Sequence, residues 1–134
     1  MAETIRVLCV DDEKNILNVI RRQLDDDHFE LYQALTVEEA LKILHTSQPI
    51  QVVLTDYRMP GSNGIDFLQT IALKWPRTAG IIISGCADTQ TVEQALSLNP
   101  LIRFIAKPWS MEELRQAVVD AATAALMHSE KGTP

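Results

Sequence analysis

The feature that most constrains this chain is a hydrophobic period that switches about five times between strand-like runs and helix-like stripes. Residues 5–10 form an apolar run, after which Ile16, Leu17, Ile20 and Leu24 recur at helical spacing, with Asp11 or Asp12 placed to cap that helix. The acidic triplet Asp25-Asp26-Asp27 closes it and reads as solvated surface. A weaker strand over 29–34 is followed by Thr36 and Glu39, the spacing of a capping box, and by a stripe of Val37, Ala40, Leu41 and Leu44. A third strand over 52–55 precedes a helix marked by Ile65, Leu68, Ile71 and Ala72, which Trp75-Pro76 stops. The run 80–84 is continuously apolar and β-branched, as expected of a strand covered on both faces. A short fourth helix with Val92, Ala95 and Leu96 ends near Asn99-Pro100. The fifth strand, 102–106, leads through a second capping box, Ser110 and Glu113, into a last helix that reaches Leu126. Alternation with connections this short predicts an α/β fold with a parallel sheet and right-handed crossovers.

The strand-like runs end in side chains that can do chemistry. The first ends in Asp11-Asp12, the third in Asp56, the fourth in Ser84 and the fifth in Lys107. In an open parallel sheet the carboxyl ends of the strands form the ligand-binding edge. If these runs are neighbours, three carboxylates, a hydroxyl and an ammonium converge there, a combination suited to a divalent cation and a phosphoryl group.

At 134 residues the chain fits one domain, expected over 1–128, with 129–134 a polar tail or the start of a linker. Eighteen acidic against 12 basic residues leave a formal charge of −6, which disfavours sequence-independent binding to nucleic acid. Cys9, inside an apolar run, reads as a small core residue, and Cys86 follows Ser84-Gly85 near the presumed site; their spacing is not that of a metal site. No apolar stretch approaches the ~18 residues of a membrane span, and the N-terminus has no signal-peptide pattern. The expectation is a cytoplasmic domain in a reducing compartment.

Four motifs then carry a specific resemblance. Val-Asp-Asp-Glu at 10–13, Thr-Asp-Tyr-Arg-Met-Pro-Gly at 55–61, Ser-Gly at 84–85 and Phe-Ile-Ala-Lys-Pro-Trp at 104–109 resemble the receiver domain of two-component response regulators, in order and over nearly the whole chain. The resemblance implies a flavodoxin-like (βα)5 doubly wound sheet with strand order 2-1-3-4-5. It implies that Asp56 is the phosphoacceptor, taking a phosphoryl group from the phosphohistidine of a sensor histidine kinase or a phosphotransfer protein. It further implies Mg²⁺ or Mn²⁺ held by Asp12, Asp56 and the backbone carbonyl of Arg58, with Asp11 acting mainly through a bound water. Lys107 and Ser84 would contact the phosphoryl oxygens, and Pro108 would follow a cis peptide. Such a domain is a signalling phosphoacceptor, catalysing only its own phosphorylation and dephosphorylation. His28, His45 and His128 fall on no site loop.

By the same resemblance, Ser84 moves toward the phosphoryl group and Phe104 rotates into the space left behind. The surface of the fourth helix, fifth strand and fifth helix then changes, controlling an output domain or partner or supporting a homodimer, with neither nucleic acid nor membrane bound by this domain. Departures from the commonest pattern are Arg58 and Cys86, which flank the phosphoryl position, and Leu98-Asn99-Pro100 in place of a Gly-containing turn. Trp109 after Lys-Pro resembles receivers attached to enzymatic output domains, and equally suits a residue packed under the last helix. A phosphatase of the haloacid dehalogenase type would place Asp-x-Asp at the end of the first strand, where this chain has adjacent aspartates. A non-phosphorylated interaction module would lack a key acid or the lysine, and none is lacking.

Overall fold

The computed structural model describes residues 4–47, 49–59, 61–85, 90, 93 and 101–131. The expected fourth helix, the 98–100 turn and Cys86 lie outside the described residues.

Five strands, β1 (Ile5–Val10), β2 (Phe29–Ala34), β3 (Val52–Asp56), β6 (Ala79–Ser84) and β7 (Ile102–Ala106), pair in the order β2-β1-β3-β6-β7. Every pair is parallel. This is the order that the resemblance implied, once β4 (Arg58–Met59) and β5 (Ser62–Asn63) are set apart as a two-stranded antiparallel ribbon. The hydrophobic pattern does not predict the ribbon; Gly61, with φ of 76°, makes its turn.

Side chains alternate across a strand, so each sheet face collects every second residue. Val7 and Cys9 of β1, Val52 and Leu54 of β3, and Ile81 and Ile83 of β6 pack with α1 (Lys14–Gln23) and the C-terminal helix (Met111–Lys131). Leu8, Val10, Val53 and Ile82 pack on the other face with α2 (Val37–Thr46) and α3 (Gly64–Lys74). All six residues of β6 are buried, which is why that run needs no polar alternation.

The helix ends show which local signals acted. Thr36 Oγ1 accepts from Glu39 N at 3.1 Å, while Glu39 Oε1 accepts from Leu35 N, one residue earlier than a reciprocal box would place it. Ser110 and Glu113 form the full box, at 3.0 and 3.2 Å. Trp75 terminates α3 as expected. The expected cap on α1 is corrected: Glu13 occupies the N-cap position without a side-chain cap bond, and the Asp11 carboxylate instead accepts from Glu13 N at 2.8 Å. Asp11 therefore closes a turn on the sheet edge rather than the helix itself. The acidic triplet is also less free than its sequence suggests, because Asp26 forms an ion pair with Arg115. The last helix continues to Lys131, into the polar stretch beyond Leu126. Among the described residues no helix is long and apolar enough to cross a membrane.

Candidate functional site

The chain leaves β1 toward β2 on one side and returns to β3 on the other, so the winding direction reverses between β1 and β3. Open α/β sheets bind ligands at such a switch point, beyond the carboxyl ends of the strands. Val10 stands opposite Thr55, Asp56 opposite Ile83, and Ser84 opposite Ala106. This register puts Asp11, Asp56, Ser84 and Lys107 side by side along one edge.

Contact is made at its centre. Lys107 Nζ lies 2.7 Å from Asp56 Oδ1, with the Asp56 side chain 14% exposed. Lys107 N donates to Ser84 O at 2.9 Å, which fixes where its side chain starts. The Lys107–Pro108 peptide is cis, as the resemblance implied. Burial pulls the Lys107 ammonium down, but the hydrogen bond and charge of Asp56, joined by Asp11 and Glu13, outweigh it and hold its pKa above the usual lysine value. The lysine is therefore a fixed cation at neutral pH.

Asp11 lies within electrostatic reach of both members of this pair. Only 3% exposed, its carboxyl is pushed by burial up to about 6, against the pull of the Glu13 amide and of Lys107, with the charges of Asp56 and Asp12 adding to the push. More negative charge is assembled here than one lysine neutralises. Asp12 is exposed at the rim. Ser84 is buried, and its hydroxyl donates to Gly85 O at 3.1 Å.

The loop after Asp56 is pinned at both ends. Tyr57 N donates to Ile83 O at 3.0 Å, and Gly64 N donates to Tyr57 O at 2.7 Å. Thr55 Oγ1 donates to Asp56 O at 3.1 Å. Gly64 is needed for this closure, because a Cβ there would come within 2.7 Å of Asp56 O. Sequence reasoning missed the supporting roles of Thr55 and Gly64; the Gly before a helical stripe was the available signal. Phe104 is partly buried among the residues packed on the α2 and α3 face. Cys9 is fully buried, its thiol pushed to about 12 by burial and then by Asp11, so it is an inert core residue as expected. His28 pairs with Asp26 and His45 stacks edge-on against Trp75, both away from this edge.

Among the described residues no three acidic, His or Cys side chains stand close enough to form a ready cage for a metal. Mg²⁺ does not require such a cage, since it keeps several waters and takes one or two carboxylates from a protein. The donors are hard oxygens, and the surplus negative charge around Asp11 is what a hydrated divalent ion would offset.

A family model, described as the response regulator receiver domain, matches residues 7–119. The chain belongs to this family. The receiver is 35% identical over 120 residues to the hydrogenase transcriptional regulatory protein HoxA of Cupriavidus necator, an alignment covering 88% of this chain and 24% of that protein. It is 27% identical to sporulation initiation phosphotransferase F of Bacillus subtilis, covering 84% of this chain and 90% of that protein. A solved receiver domain protein of Clostridium thermocellum superposes with a TM-score of 0.81 at 30% identity, covering 92% of this chain and 98% of that one. The receiver thus spans about a quarter of HoxA and nearly all of the phosphotransferase. As a receiver it is a phosphoacceptor domain of two-component signalling, a class that works with histidine kinases or phosphotransfer proteins.

Proposed function

We propose that this receiver accepts a phosphoryl group on Asp56 from the phosphohistidine of a partner kinase or phosphotransfer protein, with Mg²⁺ or Mn²⁺ bound beside it. The observation that carries the reading is the 2.7 Å pair between Lys107 Nζ and Asp56 Oδ1, next to a buried Asp11, at the switch point of the sheet. A carboxylate oxygen of Asp56 forms the new bond to phosphorus as the phosphorus–nitrogen bond breaks and the imidazole leaves. The chain's part is positioning and charge neutralisation, as phosphoryl transfer generally demands.

Lys107 supplies one compact cation to a phosphoryl oxygen. Ser84 Oγ gives up its bond to Gly85 O and turns to another phosphoryl oxygen. Asp12, Asp56 and the Arg58 carbonyl would hold the metal directly and Asp11 through water. The metal, when bound, supplies the positive charge that lets an anionic nucleophile approach an anionic donor. Phosphorylation replaces one negative charge by nearly two and adds acceptor oxygens. Ser84 and Phe104 pass that change to the surface around β7 and the helices beside it, which then binds an output domain, a partner or a second copy.

The test is incubation with acetyl phosphate and Mg²⁺, followed by intact-mass analysis. One phosphoryl adduct is expected on the wild type and none on Asp56→Asn or after chelation. No adduct on the wild type overturns the reading.

A further inference from the structure

On one side Lys107 is held through β7, where its N–H donates to Ser84 O. On the other side the chain passes through residues 108–110 before the C-terminal helix begins. Pro108 and Ser110 are exposed, and Pro108 has no N–H to donate. Trp109 is different. Its ring packs against the core between α1 and the C-terminal helix, and its indole Nε1–H donates to Gln23 Oε1 at 2.7 Å. Gln23 is the last residue of α1, and its carbonyl accepts from Arg115 Nη1 at 3.1 Å, so the acceptor residue is itself held. The other end of α1 begins directly after Asp11, Asp12 and Glu13. One rigid helix thus joins the acidic segment to the segment that carries the lysine.

We infer that Trp109 and Gln23 are positioning residues for phosphoryl transfer: the indole–amide bond fixes the segment after Lys107 to α1, and so fixes Nζ relative to Asp56. Neither residue touches the reacting atoms. The inference rests on the reading of Asp56 as phosphoacceptor. A flexible lysine side chain delivers its charge to one place only if its Cα is fixed, and small misplacements in such sites are costly in rate. Removing the Gln23 acceptor leaves the indole's apolar contacts in place, so the segment stays folded while Lys107 samples more positions.

The experiment measures the phosphorylation rate with acetyl phosphate and Mg²⁺, a small donor that needs no docking of a partner. Trp109→Phe keeps an aromatic ring and removes the donor; Gln23→Leu removes the acceptor. Each is expected to slow the reaction about three- to tenfold, the range spanned by one hydrogen bond of ordinary net strength, and the double variant no more than either single one. Gln23→Glu, which keeps a side-chain acceptor, is expected to restore the rate to within about twofold. The second readout is amide exchange: protection at Lys107 N–H should fall while that of Leu54 and Ile82, in the sheet centre, is unchanged. A wild type that takes no phosphoryl group sinks the proposed function. A wild type that reacts, with Gln23→Leu equally fast, overturns the positioning role and leaves the reading of Asp56 standing. Slower variants whose Leu54 and Ile82 protection falls equally also overturn it, because the bond would then serve only global stability. If Trp109→Phe fails to fold, Gln23→Leu and Gln23→Glu carry the comparison.

Discussion

Asp11 is the residue at which stability and the proposed metal-binding role oppose each other. Its carboxyl, pushed up to about 6 from 3.8, is held more easily in its neutral form in the fold than in the unfolded chain. A raised acid contributes stability that is fully present below about pH 4 and lost as pH rises through 6. Ionising this carboxyl inside the fold costs roughly 3 kcal/mol at most relative to the unfolded chain. Asp11→Asn is therefore expected to stabilise the metal-free domain by about 1–3 kcal/mol at pH 7.5, and by little at pH 4. Urea titrations at both pH values in the presence of a chelator check this; equal midpoints at pH 7.5 would count against it. Added Mg²⁺ should stabilise the wild type more than the variant, since a ligand that binds only the folded state raises its stability. Cys9, two residues earlier on β1, is buried as well, and burial keeps its thiol neutral.

At the scale of elements, the site depends on how tightly strand ends and helix starts approach. Gly64 opens α3 against the carbonyl of Asp56, and an added methyl would meet that oxygen at 2.7 Å. Gly64→Ala should destabilise the fold by about 1–3 kcal/mol, as forced overpacking does, and reduce phosphorylation by displacing Asp56. A loss below about 0.5 kcal/mol would show that the loop yields without cost. The C-terminal helix starts with a reciprocal box, so Ser110→Ala removes one of its two bonds. A loss of about 1 kcal/mol is expected in chemical denaturation, with little change in m-value. The Thr36 cap and the Ser110 box were readable in the sequence because Ser or Thr followed three residues later by Glu is a local signal. The missing cap on α1 was not readable, because an aspartate beside a strand end can close a turn as well as cap a helix.

On the scale of the whole molecule, contacts between distant parts of the chain weld the C-terminal helix to the turn between α1 and β2. Arg115 pairs with Asp26, bonds Gln23 O at 3.1 Å and lies 5.0 Å over the centre of the Phe29 ring. The Arg115 hydrogen bond, followed by that of the His28 amide, holds the Asp26 carboxyl below its usual range. A lowered acid contributes stability that is present above its unfolded value of 3.8 and lost as pH falls through the folded one. Asp26→Asn should thus lower the denaturation midpoint at pH 7, with the gap to wild type closing in acid and narrowing in high salt. A gap that is unchanged by both would assign the loss to the hydrogen bond from Arg115 rather than to charge, since an Asn Oδ1 still accepts from His28 N.

The sequence by itself determined the alternation of elements, the parallel sheet and the strand ends that carry Asp11, Asp12, Asp56, Ser84 and Lys107. Periods of two and 3.6 are local properties, so each strand and helix states its own identity and its own exposed end. The tertiary structure alone decided that Asp11 is buried, that Asp26 on the solvated surface is ion-paired with Arg115, and that Trp109 reaches Gln23 across 86 residues of chain. Burial and pairing depend on which surfaces meet, and a pattern read along the chain carries no information on partners that distant.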